Sequence, residues 1–153
     1  MTEEEYIRGY IIQEIRNLLK NGHLYVAFIM MGQSIEILGA FLDDKPLKAR
    51  QQSKKRFRNA LYHLFPGKYS RMNKADRLYH QFRSTMVHMF VPSGHLQLLR
   101  NTPEMHLHEQ DGKLCIHADT LIDDIERAGE AIIKRLNSGE LRRKRIATGF
   151  IED

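Results

Sequence analysis

The chain has 153 residues, 42% hydrophobic and 28% charged, which suits one soluble globular domain and leaves little room for a second core. Its longest apolar stretch, residues 24–31, is too short to span a bilayer. The acidic start lacks a signal-peptide pattern, and a single cysteine, Cys115, rules out an internal disulfide, so a cytoplasmic protein with no membrane partner is expected.

Taken in chain order, Tyr6, Tyr10, Ile11, Ile15, Leu18 and Leu19 recur at helical spacing and predict a first helix over 3–20, stopped by Asn21-Gly22. Residues 24–42 are apolar on nearly every side and predict the central, most buried helix. Gly32 and Gly39 lie on one face of it and permit close helix approach. Pro46 breaks the chain. Residues 47–64 form a third helix, apolar along Leu47, Phe57, Ala60, Leu61 and Leu64, and ended by Pro66-Gly67. A fourth runs from about Asn73 to Phe90, with Ala75, Leu78, Tyr79, Phe82, Met86 and Met89 toward the core. Between 95 and 118 the period changes to two. Asp111-Gly112 marks a tight hairpin turn, which predicts an antiparallel sheet of two or three strands. Residues 120–137 return to helix, capped by Asp119 or Thr120 and ended near Gly139. The expected fold is mainly α: an up-and-down bundle of about five helices with a small antiparallel insertion before the last. The expected domain covers 1–139, and 140–153 is expected to be a basic, loose tail.

The net charge of +5 is concentrated. Residues 45–77 carry eleven basic side chains and one acidic, and 134–153 carry six and three, whereas 1–44 and 78–133 are each net negative. A concentrated basic block attracts polyanions through Coulomb forces and counterion release. The plain alternative is a solvated helix face. Within the block, Lys54, Lys55, Arg56, Arg58, Lys68 and Arg71 are the candidate phosphate contacts. The tail run Arg142-Arg143-Lys144-Arg145 is either a solvated end or a further phosphate contact.

The fourth helix contains Phe82-Arg83-Ser84-Thr85-Met86-Val87-His88. In an ideal helix Arg83 and His88 diverge, and one copy does not bring them together. Two copies related by a twofold axis could. This string resembles the Arg-x4-6-His motif of the HEPN superfamily, and Ile35-Glu36-Ile37-Leu38 resembles the second helix of such domains. The likeness covers residues 5–90 and the last helix. The family's usual residue after the arginine is Asn, Asp or His, and Ser84 departs from it. The resemblance implies a dimeric RNA-binding protein and a candidate metal-independent endoribonuclease, in which a 2′-OH attacks the adjacent phosphorus to leave a 2′,3′-cyclic phosphate. It implies that His88 acts as general base or acid, Arg83 stabilises charge on phosphoryl oxygens, and Ser84 positions either a phosphate or His88. Tyr79, His80 and Tyr69 could stack bases. The alternative that it implies is a non-catalytic interaction or nucleic-acid-binding module of a bacterial toxin–antitoxin or defence system. The structural alternative is Arg83 paired with Asp76 or Glu36, and His88 as a surface residue. Glu36 lies in an apolar helix and needs a partner; either it ties the bundle together or it orients Arg83.

The hairpin offers a separate reading. A two-residue turn would set His108 opposite Cys115 and His106 opposite His117, all on one face, a possible zinc set. The alternative is an exposed histidine-rich face. No Gly-rich phosphate loop, nucleophile elbow or paired-carboxylate motif is present, which disfavours classical nucleotide hydrolases and serine hydrolases, and no cofactor is expected.

Overall fold

The computed structural model describes residues 1–146, so the last part of the predicted tail, 147–153, lies outside the described residues. Six helices and a three-stranded mixed sheet are present among them. Helix α1 covers residues 3–20 and is opened by Thr2 and Glu5, which cap each other's backbone N–H. Its middle, Tyr6–Gln13, is π-helical. The wider turn rotates the buried face, so that Ile7 and Ile12 are both buried and Tyr10 is exposed, against the expected stripe. Helix α2, Leu24–Ala40, is the central helix that its all-round apolar character predicts.

Helix α3 begins at Ser53, not at 47, and α4, Gly67–Met72, is a short helix that the apolar pattern does not announce. Ala75 and Asp76 then take left-handed backbone, which ends any continuous helix from Asn73. Helix α5 therefore occupies 77–89, with π-helical Tyr79–Ser84 followed by α-helical Thr85–Met89. Left-handed Phe90 terminates it, and Met89 is exposed instead of facing the core.

Strands β1 (Leu96–Leu99), β2 (Glu109–Gln110) and β3 (Lys113–His117) follow, in the order β1-β3-β2. The β2–β3 hairpin is antiparallel around left-handed Asp111 and Gly112, with Gln110 opposite Lys113 as predicted. β1 instead pairs parallel to β3, Leu96 opposite Leu114. Period-two alternation reveals a strand but not its neighbour, and the long connection after β1 lets it join the far side of β3. Helix α6, Ala118–Asn137, is capped by the His117 ring, which accepts from the Thr120 N–H at 3.2 Å, in place of Asp119 or Thr120.

One hydrophobic cluster joins every helix to the sheet, and Leu141 packs against it. Residues 141–146 return across the start of α1 and are anchored there, unlike a loose tail. No helix among the described residues is long and apolar enough to cross a membrane.

Candidate nucleic-acid site

Gly32 is where α2 and α5 meet. A Cβ built on it would lie 3.3 Å from the Arg83 Cα. Phe28 and Phe82 meet edge to face beside it, with centroids 6.2 Å apart. Tyr79 packs on Phe57, 5.7 Å between centroids, and the backbone of the neighbouring Arg56 abuts Gly39.

Arg83 sits in the π-helical stretch. Its Nη2 lies 2.6 Å from Glu36 Oε2, and each side chain is only 13% exposed. Of the open choices, Glu36 is therefore the partner of Arg83, and Asp76 is not. The contact is an ion pair without aligned hydrogen bonds: Glu36 Oε2 and Arg83 Nε are buried with no hydrogen-bond partner. The guanidinium also lies 5.7 Å from the centre of the Tyr79 ring, within cation–π range. Lys54 Nζ approaches the same ring at 6.0 Å. Tyr79 thereby links the motif arginine to the basic face of α3.

His88 is exposed in the last turn of α5, and Ser84 is half-buried. No hydrogen bond or ion pair joins His88 to Arg83 or Ser84 among the described residues. Three large apolar side chains follow His88 into solvent: Met89, Phe90 and Val91, with Phe90 66% exposed. Tyr25 and Val26, at the start of α2, are also exposed.

The basic residues divide. Lys54, Lys55 and Arg71 are exposed. Arg58 is exposed but grips Asp76 with Nε at 3.0 Å and Nη2 at 2.8 Å, and that grip holds the Asp76 carboxyl below its ordinary range. Beside the pair opens a cavity of about 310 Å³, which Tyr62, Ser70 and Lys74 also line. Lys68 is half-buried and donates to the His106 carbonyl at 3.2 Å. Arg56 does not belong to the exposed face: it is 4% exposed, and its guanidinium is consumed by Asp43, Pro46 O and Leu47 O. Burial pushes the Asp43 carboxyl up, but hydrogen bonds from Arg56, the Lys45 N–H and Lys144 outweigh it and hold that group low. His80 is exposed, its ring 5.3 Å from Tyr79.

The structure does not bring the hairpin set His106, His108, Cys115 and His117 together on one face. Leu107 is left-handed, its N–H donates to Cys115 O, and Cys115 N–H donates to His108 O. This is a β-bulge in which two residues face one. His108 is left exposed, while Cys115 is buried. No group of three or more His, Cys, Asp or Glu side chains among the described residues is placed to hold a metal.

His106 joins a buried network instead. Its Nδ1 accepts the His117 backbone N–H at 3.0 Å, so its proton lies on Nε2, 2.7 Å from the Tyr69 hydroxyl. Tyr69 in turn donates to Asp124 at 2.5 Å, and Arg127 pairs with the other oxygen of Asp124. Burial lowers the His106 pKa to about 4 and pushes the Tyr69 hydroxyl up. Tyr69 is thus a core residue and has no free face for a base. Residues so far apart in sequence carry no spacing signal that could have announced this network.

No protein-family model, curated protein or solved structure matches the chain.

Proposed function

We propose that this chain is a HEPN-like RNA-binding protein that acts as a homodimer, with Arg83, Ser84 and His88 as a metal-independent endoribonuclease centre on the twofold axis. The observation that carries the reading is the Tyr79 ring, which has the Arg83 guanidinium and the Lys54 ammonium against it. RNA lying along the exposed lysines of α3 would reach Arg83 and, through the second copy, His88. In the proposed reaction one His88 takes the proton of the 2′-OH as its oxygen bonds to phosphorus. The bond to the 5′-oxygen breaks, and that oxygen takes a proton from the His88 of the second copy. Arg83 stabilises charge on the phosphoryl oxygens, and Glu36 is its positioning residue.

A second reading has its own support. Arg83 is already neutralised by Glu36 within one copy, which suits a non-catalytic module that docks nucleic acid or a protein through the basic face. RNA cleavage in EDTA separates the two. The nuclease reading expects fragments with 2′,3′-cyclic phosphate ends from wild type, lost in His88→Ala and reduced at least 100-fold in Arg83→Gln. Equal cleavage by wild type and His88→Ala would discard it. RNA binding without cleavage would favour the module.

A further inference from the structure

Residues 141–146 are held by contacts that a solvated end does not make. The Lys144 N–H donates to Glu3 Oε1 at 2.9 Å, and Arg143 Nη1 donates to Glu3 Oε2 at 3.0 Å. Lys144 Nζ donates to Asp43 O at 2.6 Å and to Lys45 O, and its side chain is 5% exposed. Burying an ammonium and a glutamate to seat a short strap is costly unless the geometry is well matched.

Seating the strap builds a cavity of about 220 Å³ against the α2–α3 connection. Its lining includes Lys45, Arg142, Arg143, Lys144 and Arg145, and Asp44 is the one acidic side chain in it. Glu3 and Asp43 offset Arg143 and Lys144. Lys45, Arg142 and Arg145 are left facing Asp44 alone. Arg142 and Arg145 are exposed and make no ion pair or hydrogen bond to another side chain among the described residues. Three cations kept together by a buried anchor repel one another, and an anion relieves that repulsion.

We propose that this cavity binds phosphate groups. Planar guanidinium forks match phosphate oxygens in pairs, and a multiply charged phosphate balances the surplus of positive charge. The phosphate can come from an RNA backbone or from a free phosphorylated small molecule. The site does not use Arg83 or His88, so it stands or falls apart from the nuclease reading.

Two probes distinguish the sources: inorganic pyrophosphate by calorimetry, and a labelled single-stranded 12-nucleotide RNA by fluorescence anisotropy. Arg142→Gln with Arg145→Gln should leave the melting temperature unchanged and weaken by at least tenfold each probe that wild type binds. A loss seen with RNA alone assigns the polymer; there the slope of log K against log[salt] should also fall by about 1.4, for two phosphate contacts on a single strand. A loss that includes pyrophosphate assigns a free phosphorylated ligand. Lys144→Gln, which releases the strap and leaves both arginines in the chain, should weaken binding as well. The proposal is overturned if wild type binds neither probe, if the double variant binds like wild type, or if Lys144→Gln keeps full affinity.

Discussion

One methyl group tests how tightly α2 is enclosed. A Cβ on Gly39 would lie 1.9 Å from the Arg56 carbonyl oxygen and 2.5 Å from its carbon. Both are backbone atoms, so no rotamer relieves the clash, and the helices must separate. Gly39→Ala should cost about 3 kcal/mol or more, the upper end for overpacking. Gly9→Ala meets nothing within 4 Å in a helix interior and should gain about 0.5–1 kcal/mol. Urea midpoints should move in opposite directions, and a Gly39→Ala protein as stable as wild type would contradict this α2–α3 packing. The two glycines on one face of α2 were legible as points of close approach. That Gly32 receives α5 and Gly39 receives α3 was not, because a helix face does not name its neighbour. Arg56 was unreadable for a related reason. Lys54, Lys55, Arg56 and Arg58 look alike in sequence, and what removes Arg56 from solvent is Asp43 and two carbonyls on the far side of a turn.

At the level of elements, the long periodic helices and the Asp111-Gly112 hairpin were legible, because each is dictated locally. What escaped were features set by tertiary packing: the two π-helical stretches, the parallel seat of β1 and the bulge at Leu107 that scatters the histidines. The bulge also makes the network that ties α4, the β2 approach and α6 through Tyr69, His106 and Asp124. His106 has a pKa of about 4 in the fold, against an ordinary 6.5. Between those values the unfolded chain binds more protons, so stability rises with pH. The contribution is complete above about pH 6.5 and is lost as pH falls through 4. Carboxylates held low lose theirs below their ordinary values, 3.8 for Asp43 and Asp76 and 4.5 for Glu3 and Glu130. The two windows are therefore separable. The melting temperature of wild type should fall between pH 6.5 and 4.5, and His106→Asn should flatten that part of the curve while being less stable at pH 7. Tyr69→Phe leaves the His106 N–H and one Asp124 oxygen without a partner and should cost about 1–3 kcal/mol. An unchanged slope in His106→Asn would mean that another group titrates.

Across the whole molecule, opposite charges are spent unevenly. Arg8 and Arg16 on α1 bind Glu130, Asp123 and Glu126 on α6, so much of the acidic surface is neutralised along that seam. The exposed lysines of α3 have no such counterpart among the described residues, and the field is left lopsided toward α3 and the strap. The proposed nuclease needs a second copy on the far side of that field, and the exposed Met89-Phe90-Val91 run directly after His88 is where an apolar contact would place it. Phe90→Asp examines this contact without disturbing the fold. Position 90 is left-handed, at φ 59°, a conformation that aspartate adopts more readily than phenylalanine, and its side chain is mostly in solvent. Light scattering after size exclusion should give twice 18.0 kDa for wild type and 18.0 kDa for Phe90→Asp, with equal melting temperatures for the variant and the isolated monomer. Cyclic-phosphate products should vanish with the dimer although Arg83, Ser84 and His88 are intact. If wild type is a monomer at tens of micromolar, neither copy can supply the second histidine; if Phe90→Asp stays dimeric, the axis lies elsewhere.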